Sequence, residues 1–526
     1  DQAVYVADIR ESASVAHIYG QNVAAAESFT AGSFGGHAFS YAPENLKTTA
    51  DLELASGLNR FVIHTSVHQP ADDKVPGLSL ASVGQWFTRH ETWAEQAKAW
   101  TDYLARSSYL LQQGKFVADI VYYYGEDNNI TGLFGKKLPD VPEGYSYDFI
   151  NADALIHLLS VKNGRLVTPS GMSYRLLVLD SNARRISLPV LRRLAQLVKG
   201  GAAISGVRPE STPSLNDDKV EFDRLAAEIW ASPARSATNG TESVFTGKTI
   251  QEVLQQMNIK PDFSYNKIRA DTKLLYVHRR LRDGDIYWIN NRNEWDETVE
   301  VAFRVSGKVP QIWRPETGKT EPASYRFSNG ETKLRLHLTP NDAVFVVFQK
   351  STTKTSHLLP ARTDAGVTTI EGPWTVSFQP NRGAPASATF DKLRSYTEYS
   401  DAGVKYFSGT ATYTKSLTVP ARPIGKGTRL WLDLGEVKNL AEVIVNGKSL
   451  GVVWKQPFRM DLTNALKTGE NKLEIRVTNL WVNRLIGDQQ PDVKQKITST
   501  TMPFFQANSA LLPSGLLGPV KLISTQ

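Results

Sequence analysis

The chain of 526 residues contains no cysteine, which excludes disulfides, thiolate metal sites and a cysteine nucleophile. It has no block of five or more Lys or Arg residues, and its net charge of +7 is the small difference between 60 basic and 53 acidic side chains. No nucleic-acid site is therefore predicted. No apolar run reaches the roughly 18 to 20 residues that a membrane span requires. We accordingly expect a globular protein without a membrane-spanning segment.

The first residues, DQAVYVADIR, show neither the basic nor the apolar part of a signal peptide and lack an initiator methionine. We expect a mature or processed product, whose compartment is the bacterial periplasm or cytosol. Apolar residues make up 41% of the chain and charged residues 21%, which is typical of globular domains. The aromatic content of 10% fits either sugar-binding surfaces or β-rich cores. The length predicts three or four domains.

The first region, residues 1–115, alternates helical and strand patterns. DIRESASVAHIYG has helical spacing and closes on Gly20, and NVAAAE follows as a short buried strand that ends on Glu27. The segment LNRFVIHTSVHQP predicts another strand, and one long amphipathic helix is expected from Gly84 to Gly114. These strand and helix units are typical of the end of a parallel α/β structure.

The second region, residues 116–261, predicts a doubly wound, flavodoxin-like α/β domain. The apolar strands in FVADIVYYYGED, YRLLVLD and AAISG are separated by helical patterns with short connections. No G-x-G-x-x-G motif follows any of these strands, so the sequence does not support a nucleotide cofactor.

The remaining sequence predicts two all-β regions. Residues 262–352 form a β domain in which KLLYVHRRLRDGDIYWINNR is a hairpin around Asp283-Gly284. Residues 353–526 form a β-sandwich, with a hairpin at Asn446-Gly447. The fold class is therefore multidomain, α/β followed by all-β.

The last region resembles a known module. The hairpin NGK, the segment QPFRMDLT and the strand GENKLEIRVTN, in that order, are similar to the sugar-binding, galactose-binding-like β-sandwich of family 2 and related glycoside hydrolases. This module often supports a catalytic domain without taking part in catalysis, so its presence alone does not fix a function.

A second resemblance covers nearly the whole chain. AHIYGQNVAAAESFT, LNRFVIHTSVHQP, WFTRHETW, QGKFVADIVYYYGED and YDFINADAL, in this order, resemble the glycoside hydrolase family 106 α-L-rhamnosidases. The resemblance implies that residues 1–115 are the C-terminal part of a catalytic (β/α)8, or TIM, barrel. It implies removal of terminal α-L-rhamnose from glycans or glycosides, a bacterial periplasmic or secreted location and a calcium ion. No contiguous calcium loop exists, so the metal ligands are unknown.

The resemblance also implies roles for carboxylates. Active-site groups of such barrels lie at the carboxyl ends of strands, and Glu27 matches the family's general base in an inverting mechanism. A barrel needs about 250 residues, so the early strands, with the general acid, are missing from this chain. We therefore expect a partner, an associated N-terminal fragment of the same protein, unless the chain is simply part of a longer one. A strand-end glutamate in a salt bridge is the structural alternative.

Further candidates for substrate contact flank these strands. His64 and His68 follow the strand after Glu27. His64 is assigned to sugar hydroxyls, and a zinc site is disfavoured because residues four apart share a face only in a helix. Trp86 and His90 begin the expected long helix, either packing on the barrel or lining the pocket. Glu126 and Asp127, at the end of the first doubly wound strand, are the alternative candidates for the second acid, although a role as rim or substrate-contacting residues is favoured for Glu126.

Two other functions stay open from the sequence. The chain could be a noncatalytic carbohydrate-binding or scaffold fragment, or a related glycosidase that acts on galactosides. No residue between 22 and 68 fixes the sugar by a physical argument.

Overall fold

The computed structural model describes residues 2–31, 38–84, 86–230, 243–360, 363–419 and 428–526. The chain divides into two compact units. The first comprises Asp1–Ala26, Asp51–Phe61 and Arg106–Leu359, and the second comprises Glu27–Ala50, Val62–Ala105 and Pro360–Gln526.

Helices are concentrated in the first half of the chain, as the sequence pattern predicts. Within the described residues, no helix is both long enough and apolar enough to cross a membrane. The α-helices are Gln2–Tyr19, Pro43–Ala55, Lys98–Leu111, Ile130–Phe134, Ala152–His157, Leu188–Lys199, Lys219–Trp230, Ile250–Gln256, Ala402–Lys405 and Val482–Gly487, and short 3-10 helices are Ala94–Gln96 and Tyr396–Glu398.

The first unit contains the predicted doubly wound sheet. All its strand pairs are parallel, and the strands are entirely or almost entirely buried because helices and loops cover both faces. Counted along the chain, the spatial order is 2-1-3-4-5, the order of flavodoxin-like sheets. From one edge to the other, the strands are Val244–Phe245, Ile204–Ser205, Leu176–Leu179, Ile120–Tyr123 and Tyr147–Ile150. A small antiparallel sheet is formed by Ser160–Lys162, Arg165–Val167 and Ser173–Tyr174.

Two antiparallel sheets follow in the same unit and share one apolar core. The predicted hairpin around Asp283-Gly284 is confirmed, since its two strands pair from Leu274 to Asn291. One sheet contains Lys319–Pro322, Lys308–Arg314, Ala343–Ser351, Asp285–Asn291, Leu274–Arg280 and Lys115–Phe116, and the other contains Phe263–Tyr265, Glu297–Phe303, Glu331–Leu338, Tyr325–Ser328 and Ser356–His357.

A charged network centred on His278 is buried in this core. The ring of His278 is fully buried and stacks on Tyr287. Its two nitrogens lie 2.8 Å from Asp262 and 3.0 Å from Asp285. Arg304 approaches the second carboxylate oxygen of Asp262 at 3.2 Å. Burial lowers the pKa of His278, but the two carboxylates outweigh this effect and raise the pKa above its ordinary value.

The second unit contains the predicted β-sandwich, again two sheets around one core. The hairpin at Asn446-Gly447 is confirmed, and both turn residues have positive φ, as a type I′ turn requires. The larger sheet contains Ser387–Phe390, Trp374–Phe378, Thr410–Val419, Gly469–Thr478, Leu440–Val445 and Lys448–Val453, and the smaller contains Asp364–Thr369, Lys521–Thr525, Arg429–Asp433 and Arg459–Asp461. Short pairs are Glu436–Lys438 with Gly515–Gly518 and Pro76–Gly77 with Ser499–Thr500.

The expected helix from Gly84 to Gly114 is wrong in its first half. Its α-helical part is Lys98–Leu111, and the described residues before it form turns, bends and the 3-10 helix Ala94–Gln96. Side chains in this segment form hydrogen bonds with nearby backbone groups, and these bonds compete with helix formation. The Thr88 hydroxyl accepts a hydrogen bond from the His90 N–H, and the Glu91 carboxylate accepts one from the Thr92 N–H. Trp86 and His90 therefore lie outside the α-helix that they were expected to begin.

Candidate active site

Glu27 lies on the strand Ala25–Ser28, which pairs with the strand Arg60–Ile63. The backbone N–H of Arg60 donates to the Ala24 carbonyl, and that of His64 to the Ser28 carbonyl. From the first of these hydrogen bonds to the second, the residue numbers of the donor and of the acceptor both increase by four. The two strands therefore run parallel. Glu27 and His64 consequently stand at the carboxyl ends of neighbouring parallel strands, where α/β enzymes place active-site groups.

The expected burial of the run before Glu27 is confirmed for Ala24 but is wrong for Ala25. Ala25 and Glu27 are exposed, while Ser28 is buried. Side chains of a strand point alternately to opposite faces, so small apolar residues alone do not bury the segment. The Glu27 carboxylate is therefore accessible to solvent.

The turn after Glu27 holds this carboxylate. Thr30 donates its hydroxyl to Glu27 Oε1 at 2.7 Å. Between them Phe29 adopts a φ of +65°, which is unfavourable for a bulky side chain, and its ring is buried near Trp100. Such backbone outliers concentrate at functional sites, because the surrounding packing must maintain them. Thr30 was not among the residues predicted from the sequence, although it stands three residues after the glutamate.

His64 is half-buried against Gly84. The backbone N–H of Gly84 donates to the Ala31 carbonyl at 2.7 Å, and a Cβ at Gly84 would lie 2.6 Å from His64 Nδ1. Gly84, with a φ of +93°, is thus required for the imidazole to fit. Among the described residues Nδ1 has no hydrogen-bond partner. His68 lies farther along the loop and is exposed.

Trp86 and His90 are packing residues in the second unit. Trp86 is buried. The centroid of its ring lies 4.9 Å from the ring centroid of Phe39 and 5.9 Å from that of Phe504. The backbone carbonyl of buried His90 accepts a hydrogen bond of 2.8 Å from the Trp481 indole. These contacts attach the segment to the core formed by the C-terminal part of the chain, and their importance for substrate stays a prediction.

A cavity of about 310 Å³ adjoins this segment, and its lining includes Phe87, Arg89, Glu91, Trp93 and Glu95. Burial raises the pKa of Glu91 to about 8, although two hydrogen bonds from Thr92 oppose the shift. Glu91 was not predicted from the sequence. Its position among the aromatic residues of WFTRHETW is the signal that could have identified it.

Glu126 lies in the other unit, outside this group of residues. Its Oε2 accepts the backbone N–H of Ser187 at 2.6 Å, at the start of the helix Leu188–Lys199. Neighbouring Asp127 lies 3.9 Å from Arg185. A carboxylate at a helix N-terminus is favoured by the helix dipole, so this contact already gives Glu126 a structural role.

The described ranges contain no group of three or more His, Asp or Glu side chains that could hold a metal ion. Calcium needs six to eight oxygen ligands. The described residues therefore offer no carboxylate group that fits the implied calcium ion, which stays a prediction, and no chemical step is derived through it.

An accessible carboxylate at the carboxyl end of a parallel strand lies where barrel enzymes place active-site groups, and most glycoside hydrolases use a pair of such carboxyl groups. The comparisons with known proteins agree. The sequence description of glycoside hydrolase family 106, alpha-L-rhamnosidase, matches residues 1–327. The galactose-binding-like domain of family 2 glycosyl hydrolases matches residues 395–507. The chain belongs to the family 106 α-L-rhamnosidases.

Two relatives extend this result. The solved rhamnosidase of Novosphingobium sp. PP1Y is 47% identical with a TM-score of 0.94, over 99% of this chain and 50% of that one. A protein of Formosa agariphila, provisionally named a β-glucuronidase, is 28% identical over 97% of this chain and 63% of its own length. The chain thus spans about half to two thirds of the length of these relatives.

Proposed function

We propose that this chain forms part of an inverting α-L-rhamnosidase in which Glu27 is the general base. The observation that carries the proposal is the position of Glu27, exposed at the carboxyl end of a strand that runs parallel to its neighbour. Family membership and the 47% identity with a solved rhamnosidase support α-L-rhamnose as the sugar removed. The strands Ala25–Ser28 and Arg60–Ile63 would then belong to a (β/α)8 barrel.

In this mechanism Glu27 accepts a proton from a water molecule that attacks the anomeric carbon. Thr30 holds Oε1, which leaves Oε2 to face the water. His64, at the next strand end, is placed to contact sugar hydroxyls. An inverting enzyme needs a second carboxyl group about 6.5 to 9.5 Å away to protonate the leaving oxygen. We assign this general acid to a barrel segment outside this chain, which spans 50% and 63% of the length of the two relatives.

Substitution of Glu27 tests the proposal in active enzyme that contains this chain together with the rest of the proposed barrel. Glu27→Gln keeps the shape of the side chain but cannot accept the proton, so kcat on an aryl α-L-rhamnoside should fall by about 10² to 10⁴ with little change in KM. Glu398→Gln, at an exposed position in the same unit, is the matched control and should keep normal turnover. Near-normal kcat in Glu27→Gln would refute the assignment.

The same assay separates the alternative activities. Aryl β-D-glucuronides and galactosides are tested beside the rhamnoside, because the Formosa relative carries a β-glucuronidase name. Faster turnover of either substrate would replace rhamnose in the proposal. Complete inactivity on all three, with retained sugar binding, would favour a noncatalytic carbohydrate-binding fragment. A periplasmic or secreted location is proposed with the rhamnosidase function.

A further inference from the structure

We infer that Gly84 is a positioning residue for substrate binding, because it holds the imidazole of His64 where Nε2 can reach a hydroxyl group of the sugar. The inference rests on the proposed function, since it takes the position of His64 as a place where the sugar binds. Gly84 acts only through His64 and does not itself contact the sugar. All contacts that support the inference lie within the second unit.

The backbone around Gly84 is anchored to the segments that follow the two parallel strands. The N–H of Gly84 donates to the Ala31 carbonyl at 2.7 Å, and the N–H of Phe87 donates to the Thr65 carbonyl at 3.2 Å. The ring of Phe87 packs edge to face on buried Trp93, with ring centroids 5.4 Å apart. Because these contacts hold the backbone, crowding at Gly84 is relieved more easily by movement of the His64 side chain.

The imidazole of His64 packs directly against Gly84 and leaves no room for a side chain there. A Cβ at position 84 would lie 2.6 Å from Nδ1, 3.1 Å from Cε1 and 3.1 Å from the His64 carbonyl oxygen. The first of these distances is shorter than any ordinary contact of a carbon atom. An alanine at position 84 must therefore displace the ring.

The two ring nitrogens of His64 have different surroundings. Nδ1 faces Gly84, is buried and has no hydrogen-bond partner among the described residues. Nε2 likewise accepts or donates no hydrogen bond within the described part of the chain, but unlike Nδ1 it keeps access to solvent. Nε2 is therefore the ring nitrogen that a sugar hydroxyl can reach. A hydroxyl group both donates and accepts, so it can pair with Nε2 in either neutral tautomer of the imidazole.

A double-mutant cycle in the active enzyme tests the inference, with kcat/KM on an aryl α-L-rhamnoside as the measurement. Gly84→Ala and His64→Ala should each lower kcat/KM at least about tenfold, because misplacement by about 1 Å is enough for such a loss. In the His64→Ala background, Gly84→Ala should change kcat/KM less than about threefold, because the ring that it would displace is gone. If the two losses multiply, or if Gly84→Ala alone stays within about threefold of wild type, the inference is wrong.

The matched control for backbone strain is Gly447→Ala in the same unit. Gly84 has a φ of +93° and Gly447 a φ of +78°, but a Cβ at Gly447 meets no atom within 4 Å. This control should keep the wild-type kcat/KM. A loss in Gly447→Ala as large as that in Gly84→Ala would show that strain, and not the position of His64, causes the effect.

Two substitutions of His64 keep the inference testable if Gly84→Ala does not fold. Glutamine places its amide nitrogen near the position of Nε2, whereas asparagine reaches only about as far as Nδ1. His64→Gln should therefore keep kcat/KM within about tenfold of wild type, while His64→Asn should lose as much as His64→Ala. Equal losses in the glutamine and asparagine variants would overturn the inference.

The role of Glu27 is tested separately from this inference. If Glu27→Gln keeps near-normal kcat while the effects at Gly84 and His64 are coupled, only the proposed role of Glu27 is wrong. If Glu27→Gln loses turnover while the effects at Gly84 and His64 multiply, only the inference about Gly84 is wrong.

Discussion

The buried His278 network predicts a pH dependence of stability in the first unit. The folded-state pKa of His278 is raised above its ordinary value of about 6.5. Its contribution to stability is therefore fully present below about pH 6.5 and is lost as pH rises through the folded pKa. Burial raises the pKa of Asp262 and Asp285, but His278 and nearby arginines outweigh burial and hold both below their ordinary range. Their contribution is lost as pH falls below about 3.8.

The size of the effect on the free energy of unfolding is set by the one proton that His278 binds and by its two buried ion pairs. Above about pH 6.5 the free energy of unfolding should fall by up to about 1.4 kcal/mol per pH unit until the folded pKa is reached. His278→Gln should abolish this slope. It should also cost about 3 to 5 kcal/mol at about pH 6, because it removes the central partner of the Asp262 and Asp285 carboxylates.

Hydrogen exchange of the strands Leu274–Arg280 and Asp285–Asn291 measures this local stability, after correction for the intrinsic effect of pH on exchange. His157→Gln is the matched control, because His157 is 68% exposed and its carboxylate partner lies 3.8 Å away on the same helix. The control should keep the wild-type profile. A flat wild-type profile between about pH 6 and 8, or an unchanged slope in His278→Gln, would refute the reasoning.

Two further predictions concern the second unit and use urea unfolding as the measurement. Trp481→Phe should lower the free energy of unfolding by about 1 to 3 kcal/mol, because it removes the indole that donates to the buried His90 carbonyl at 2.8 Å. An unchanged midpoint of urea unfolding would show that this hydrogen bond is dispensable. Gly447→Ala should cost about 1 to 2 kcal/mol, because φ is +78° there while a Cβ meets no other atom, which isolates the backbone effect. A neutral or stabilising result would contradict the type I′ assignment of the turn.

Local signals explain which parts of the fold were predictable. The turns at Asp283-Gly284 and Asn446-Gly447 depend on a few adjacent residues, so both hairpins were predicted correctly. The doubly wound sheet was predictable because its strands are continuous apolar runs between amphipathic segments.

The errors arose where periodicity competes with other interactions. The stretch before Lys98 has helical spacing, but the side chains of Thr88 and Glu91 accept hydrogen bonds from nearby backbone N–H groups, which favours turns instead. Exposure of Ala25 and Glu27 depends on which neighbours cover the strand, and this information is not local.

Strand-end reasoning and the family resemblance together predict Glu27 and His64 as site residues. The structure places both at the carboxyl ends of neighbouring parallel strands, and their roles stay predictions. The burial of Glu91 and the approach of Gly84 to His64 depend on tertiary packing, so no spacing rule reveals them.

The stereochemistry of the first product tests the central claim most directly. If Glu27 activates water, rhamnose is released from an α-linkage as the β anomer, because attack occurs on the face opposite the leaving group. If Glu27 were a nucleophile in a retaining pair, the product would keep the α configuration. Proton NMR of the anomeric signals of the active enzyme, recorded before mutarotation, distinguishes the two. Initial β-L-rhamnose is the predicted result, and initial α-L-rhamnose would contradict the general-base role of Glu27.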